Sequence, residues 1–431
     1  MKSWTIVLLG LFFLGFPARL QSQFAFTTNN NTITITDYTG SGGVVVIPDM
    51  ISGYSVTGIA DGAFSNKTSV AGVTMPDSVI NLGSNVFYLC SGLTNITIST
   101  NLTNIQAGTF RSCSNLAAVL IPDNVTNIGA SAFRQCVSMT NAAIGTGVFS
   151  VGTAAFSGCT NLRNVTIPDN VNNIGFTAFV NCTKLANVTI GNGVTDIGGG
   201  AFQFCTSLTN ISMGSSVTNI ESSAFQGCVA LRNITIPDNV SYIGNSAFYA
   251  CTGLTFATVG NGVFNIDANA FFSCSGLTNV TFGNSVTNIG AFAFESCSNL
   301  LGVTIPNSVR TIGYLAFSRC TNLAVITIPN SVTNIGSDAF LDCYNLTNVM
   351  IPNSVINIGD DAFLLCSSLA SVMLPNGITS IGNFVFCGCA LTNITIPNAV
   401  DNIGYEAFDD CALINITIPN PLLLFMGTAA A

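Results

Sequence analysis

Residues 159–181 read CTNLRNVTIPDNVNNIGFTAFVN, and residues 228–250 read CVALRNITIPDNVSYIGNSAFYA. Laid over each other they share one frame, Cys-x-x-Leu-x-x-Val/Ile-x-Ile-Pro-x-x-Val-x-x-Ile-Gly-x-x-Ala-Phe-x-x. The phenylalanine of that frame returns every 23 residues from Phe64 through Phe225 to Phe386, and then at Phe408 after a 22-residue step. A cysteine follows three residues after each of these except Phe64, from Cys90 to Cys411. A fixed period of this length is the signature of a solenoid, so the chain is one small unit copied about fifteen times.

Within a copy, Leu162, Val165 and Ile167 alternate with Asn164 and Thr166, which predicts a short half-buried strand. Pro168 ends it, because proline has no N–H for a continuing ladder. Val171 and Ile174 are too few to define a helix and read as a short extended or turn segment. Gly175 is expected to permit a bend of unusual φ. Ala178 stays small beside Phe179, the bulky filler between layers. Stacked copies pair their strands in parallel at ~4.8 Å, so fifteen give a ladder of roughly 70 Å. Columns of Leu, Val, Ile, Ala, Phe and Cys face inward, and columns of Asn, Thr and Ser face out.

The frame covers most of the chain and closely resembles the BspA-like class of bacterial leucine-rich repeats, in its Cys-x-x-Leu-x-x-Val-x-Ile-Pro and Ile-Gly-x-x-Ala-Phe elements. The resemblance implies a β-rich, right-handed, curved repeat solenoid with short parallel strands on its concave face. It also implies an exported bacterial cell-surface or secreted protein, often an adhesin.

The ends depart from the frame. Lys2, the apolar run Ile6–Phe16 and the PARLQS that follows read as a signal peptide over 1–22. Residues 23–63 read as an N-terminal β cap, with an alternating strand at Thr32–Thr36 and a flexible Gly40–Gly43 turn. The solenoid then spans 64–420, and 421–431 reads as an incomplete tail.

Composition narrows the function. At 48% apolar and 7% charged the chain is too hydrophobic for disorder, yet outside the N-terminus no apolar run nears the ~18–20 residues of a spanning helix. The ten basic residues are scattered in a chain of net charge −9, which argues against nucleic acid and against anionic lipid. With no histidine, His-activated nucleophiles are excluded, and no carboxylate pair is tied to a pocket. A polysaccharide-active enzyme is thus the weakest alternative, and no cofactor is implied. Eight acids after Arg319 (Asp338, Asp342, Asp360, Asp361, Asp401, Glu406, Asp409, Asp410) lack calcium-loop spacing and read as a solvated surface. Sequons at Asn95, Asn164, Asn187, Asn233, Asn279 and Asn393 follow from the repetition of Asn and Thr columns.

Fifteen of the sixteen cysteines lie in register on an inward column, where parallel Cβ vectors suit thiols better than bridges. Cys387 lies outside that column and reads as the reactive thiol.

Binding is then the expected function, toward an extracellular protein or glycan. The strand face offers Asn164, Asn187, Asn210 and Asn233 beside Thr166, Thr189, Thr235 and Thr258. Its apolar interruptions are Leu120, Phe256, Val325, Met350 and Met373, with Phe256 the foremost anchor. A passive, ordered-water surface of the ice-binding kind is the alternative.

Overall fold

The computed structural model describes residues 23–418, so the expected signal peptide and C-terminal tail lie outside the described residues. Among those residues there is no helix; the chain winds as a β-solenoid, each rung carrying two short strands and one broad turn. In the rung that opens at Cys159, the first strand is Asn164–Ile167, with Asn164 and Thr166 exposed and Val165 and Ile167 buried, as the alternation requires. Pro168 follows, and its carbonyl accepts the Val171 N–H at 3.1 Å to close a tight turn.

The segment read as extended or turn is a second strand, Asn173–Ile174. Two residues give no periodicity to read. Its pairing becomes visible only across rungs, where twelve such strands run unbroken from Asn104–Ile105 to Asn357–Ile358. The first-strand ladder is divided among the described residues. Five strands pair from Ala118–Leu120 to Asn210–Ser212, and seven from Asn233–Thr235 to Ser371–Met373. From Val70–Thr74 onward the rung-to-rung strand pairings are parallel and in register, Val165 on Val188 and Ile174 on Ile197 being typical.

Gly175 corrects an expectation. It needs no unusual φ; a Cβ there would stand 2.6 Å from the backbone carbon of Gly152 one rung earlier. Glycine is required by the close approach of two backbones. The left-handed residues lie elsewhere, two before and two after each column phenylalanine: Asn85 (φ 54°) and Leu89 (φ 60°), then Ala154 and Thr177, Phe204, Phe292 and Leu365 in later rungs. A non-glycine residue in this region costs about 1–2 kcal/mol. The turn recovers that cost through hydrogen bonds. Asn85, Phe87 and Leu89 donate to Ala107, Thr109 and Arg111 of the next rung at 2.7–2.9 Å, while Tyr88 and Cys90 N–H groups turn back to Asn85 and Phe87.

The Phe column runs through the interior without a gap. Rings from Phe87 to Phe408 stack with centroids 5.1–5.7 Å apart and planes within 12°. At the N-terminal end the stack continues onto Tyr38, 5.0 Å from Phe64, with Phe24 beside it. Both residues belong to an antiparallel hairpin, Phe24–Asn29 with Thr32–Tyr38, whose second strand pairs in parallel with Tyr54–Ile59. The VVVIP stretch enters the first ladder directly, as Gly43–Val46 pairs in parallel with Val70–Thr74.

Every column cysteine is free, as is Cys387. The column thiols are more than small hydrophobes. Each donates to the carbonyl of the phenylalanine 25 or 26 residues earlier, as in Cys113 Sγ to Phe87 O at 3.1 Å and Cys228 Sγ to Phe202 O at 3.2 Å. That carbonyl is buried at the rung interface, and the thiol gives it a second donor.

Candidate functional site: the first-strand face

The exposed face of the first ladder carries two side-chain columns. In one, amides bond to each other along the solenoid: Asn187 Nδ2 donates to Asn164 Oδ1 at 2.7 Å, and Asn210 Nδ2 to Asn187 Oδ1 at 2.8 Å. Asn233 accepts the Thr255 hydroxyl at 3.3 Å. These asparagines, expected as ligand contacts, are therefore largely engaged in holding rungs in register. The second column differs. Thr166 and Thr189 are paired rung to rung, as are Thr235 and Thr258, and among the described residues their hydroxyls bond to no protein group. These hydroxyls are among the polar groups this face leaves for a ligand, as are the side-chain amides of Asn141, Asn279 and Asn348.

Phe256 replaces an asparagine between Asn233 and Asn279 and is 54% exposed. Val325 replaces another, in register with Asn348. Met350 and Met373 replace consecutive threonines, pair directly, and are 69% and 67% exposed. Leu120, also exposed, belongs to the other block of the ladder. The structure thus brings three of the five apolar positions together. Val325, Met350 and Met373 lie on three consecutive rungs, while Phe256 is three rungs before Val325, roughly 15 Å at strand spacing. The methionines border a shallow groove of about 520 Å³ lined by Thr304, Pro306, Thr327 and Pro329.

A second groove, about 630 Å³, was not expected. It runs past Thr166, Thr189 and Ser212 toward Asp169 and Asn192, with Met213 at its floor. The legible signal is the loss of the strand-ending proline: Gly191 and Gly214 stand where Pro168 stands one and two rungs earlier. Asp169 and Asn192 are already engaged, accepting the N–H groups of Asn192 and Ser215 at 2.7 and 3.1 Å.

Cys387 does not have the environment of a reactive thiol. It is half-buried, and its pKa is raised, first by desolvation and then by Asp409, Asp410, Glu406 and Asp361. An activated thiolate needs nearby positive charge. Asp338 and Asp361 are likewise raised, by burial first and by neighbouring carboxylates second. Among the described residues no three His, Cys, Asp or Glu side chains converge as a metal site, and no helix is long and apolar enough to cross a membrane.

Residues 45–159, 126–255, 243–370 and 357–426 match the family model described as a BspA type leucine rich repeat region (6 copies). Among solved structures, the chain is similar to a leucine-rich repeat protein from Bacteroides ovatus, at 29% identity and TM-score 0.62 over 78% of this chain and 97% of that one. A leucine rich cell surface protein from Faecalibacterium prausnitzii shares 28% identity over 89% and 93% of the two chains, with TM-score 0.41. The pneumococcal vaccine antigen PcpA shares 16% over 93% and 98%, with TM-score 0.40. No curated protein sequence is a significant match.

Proposed function

Because the chain belongs to the BspA-type leucine-rich repeat family, we propose that it is an exported bacterial surface or secreted protein that binds an extracellular protein on its first-strand face. The carrying observation is the patch formed by Val325, Met350 and Met373, exposed on consecutive rungs beside Thr304 and Thr327. Methionine is enriched at protein interfaces relative to the rest of a protein surface. Methionine adapts to irregular partner surfaces because it is unbranched and polarizable. The threonine hydroxyls can donate to or accept from a partner's main chain.

The first test is an array of extracellular-matrix proteins and glycans probed with the secreted chain. The second compares its strongest hit with a variant carrying Val325→Ala, Met350→Ala and Met373→Ala. Binding to a protein, lost in the triple variant with unchanged circular dichroism, supports the reading. Unchanged binding moves the site off this face, and a hit among glycans alone changes the ligand class. Dependence on Phe256 instead would place the anchor three rungs earlier.

A further inference from the structure

Arg111 and Arg134 occupy one column of the broad turn, each one residue after a stacked phenylalanine. The backbone holds them in register. Phe110 N–H donates to Ala132 O and Ser112 N–H to Arg134 O, both at 2.7 Å. The rings of Phe110 and Phe133 lie 5.1 Å apart. The two arginine stems therefore rise from adjacent rungs at about strand spacing, ~5 Å. Cationic side chains on neighbouring stems are stabilised where an anion lies within reach of both.

No protein anion does. The three ion pairs among the described residues involve Lys67 or Arg319, never Arg111 or Arg134. Arg319, on a later turn, has Glu295 at 3.6 Å and Asp342 at 3.7 Å. Arg111 instead lies over the Tyr88 ring, 5.4 Å from its centroid, which fixes the side chain without occupying its N–H donors. Arg134 has its Nε buried without a hydrogen-bond partner. A buried donor lacking an acceptor is unfavourable, and an incoming acceptor relieves it. Two cationic side chains on neighbouring rungs, an oriented guanidinium and a donor without an acceptor all point to an anionic ligand.

We propose that Arg111 and Arg134 form a seat for a tetrahedral oxyanion, a sulfate or phosphate group, on the turn and separate from the first-strand face. A carboxylate has two oxygens in one plane and is satisfied by a single guanidinium fork. A sulfate or phosphate has three or more acceptor oxygens diverging from one centre, so forks from two rungs can engage it together.

The test uses the full chain with ¹⁵N-labelled arginine, titrated with sodium sulfate, sodium phosphate and sodium chloride at matched ionic strength. The Nε–Hε resonance of Arg134 is expected to move saturably with sulfate or phosphate and not with chloride. Arg111→Gln should weaken the titration about tenfold, equivalent to the loss of one charged hydrogen-bonding partner. Arg111→Lys, which keeps charge but loses the fork, should recover only part of it and guards against a folding artefact. Dextran sulfate against neutral dextran then identifies the source. Tighter binding of dextran sulfate than of the free ion assigns a polymer-borne group, and equal binding assigns the free ion. A response that follows ionic strength alone, or that survives unchanged in the Arg111→Gln/Arg134→Gln variant by calorimetry, overturns the seat. Either result leaves the reading of the first-strand face untouched, because no residue is shared.

Discussion

Each rung meets its neighbours through the phenylalanine turn and through the first strand, and the two regions tolerate change in opposite ways. In the turn the interior residue is the same from Phe64 to Phe408, while the left-handed positions beside it hold Asn, Leu, Ser, Ala, Thr, Phe and Asp. On the first strand the outward columns keep Asn and Thr for long stretches and then break at Leu120, Phe256, Val325, Met350 and Met373. The turn is held by ring stacking, a thiol–carbonyl bond and its own backbone ladder, none of which depends on the outward side chains. The first strand contributes a ladder that is itself divided after Asn210–Ser212. Order is concentrated in the turn and interior, and the strand face is free to acquire recognition residues.

The largest effect that can test this division is alkaline. Burial pushes the Cys159 thiol up to about 12 and the Cys90 thiol up to about 11. An unfolded thiol titrates near 8.5, so the folded chain retains protons that the unfolded chain releases. The stabilisation is fully present below about pH 8.5 and is lost as pH rises, at up to about 1.4 kcal/mol per unit for each fully protected thiol. Urea midpoints measured from pH 8 to 11 should fall steeply, and more gently in a Cys159→Ala/Cys182→Ala variant. A midpoint that stays level would show that the thiol column does not matter to stability.

Next in size is Phe225→Ala, which removes a ring with no exposed surface and should cost ~3–5 kcal/mol. Hydrogen exchange should show the loosening confined to a few rungs, because coupling in such arrays is between nearest neighbours. Asn187→Ala removes the middle of an exposed amide ladder and should cost about 0.5–1.5 kcal/mol by thermal unfolding. Phe256→Ala should change stability by less than about 0.5 kcal/mol, as exposed substitutions do. A large loss from Phe256→Ala, or a small one from Phe225→Ala, would erase the distinction between the two regions.

The interior was readable because a 23-residue period marks columns, and inward positions such as Leu162, Val165, Phe179 and Cys182 are all buried. What escaped reading depends on the neighbouring rung. Asn173–Ile174 is a strand only through its partners. The Cys182 thiol meets Phe156 O, 26 residues back, and no local pattern announces that bond. The left-handed positions vary in residue type, so Thr177 and Phe204 give no sign of positive φ. On the strand face, exposed Phe256, Met350 and Met373 were legible as interruptions of polar columns. The grouping of Val325 with the two methionines, and the mutual engagement of Asn164, Asn187 and Asn210, required the register. Arg111 and Arg134 look scattered in sequence and become neighbours only on stacking.

The ladder bonds of every rung lie along the stacking direction, and this governs how the chain carries force. A pull between its two ends stretches each rung boundary in turn instead of shearing all of them together. A boundary that yields releases 23 residues, which reach about 80 Å when straight at ~3.5 Å per residue. The rung occupied only about 5 Å of the array, the spacing of adjacent strands. Single-molecule stretching should therefore record a sawtooth of steps near 75 Å, the difference between the extended and stacked lengths. Held at one end and loaded at the other, the chain would lengthen many times over before its last rung boundary yields.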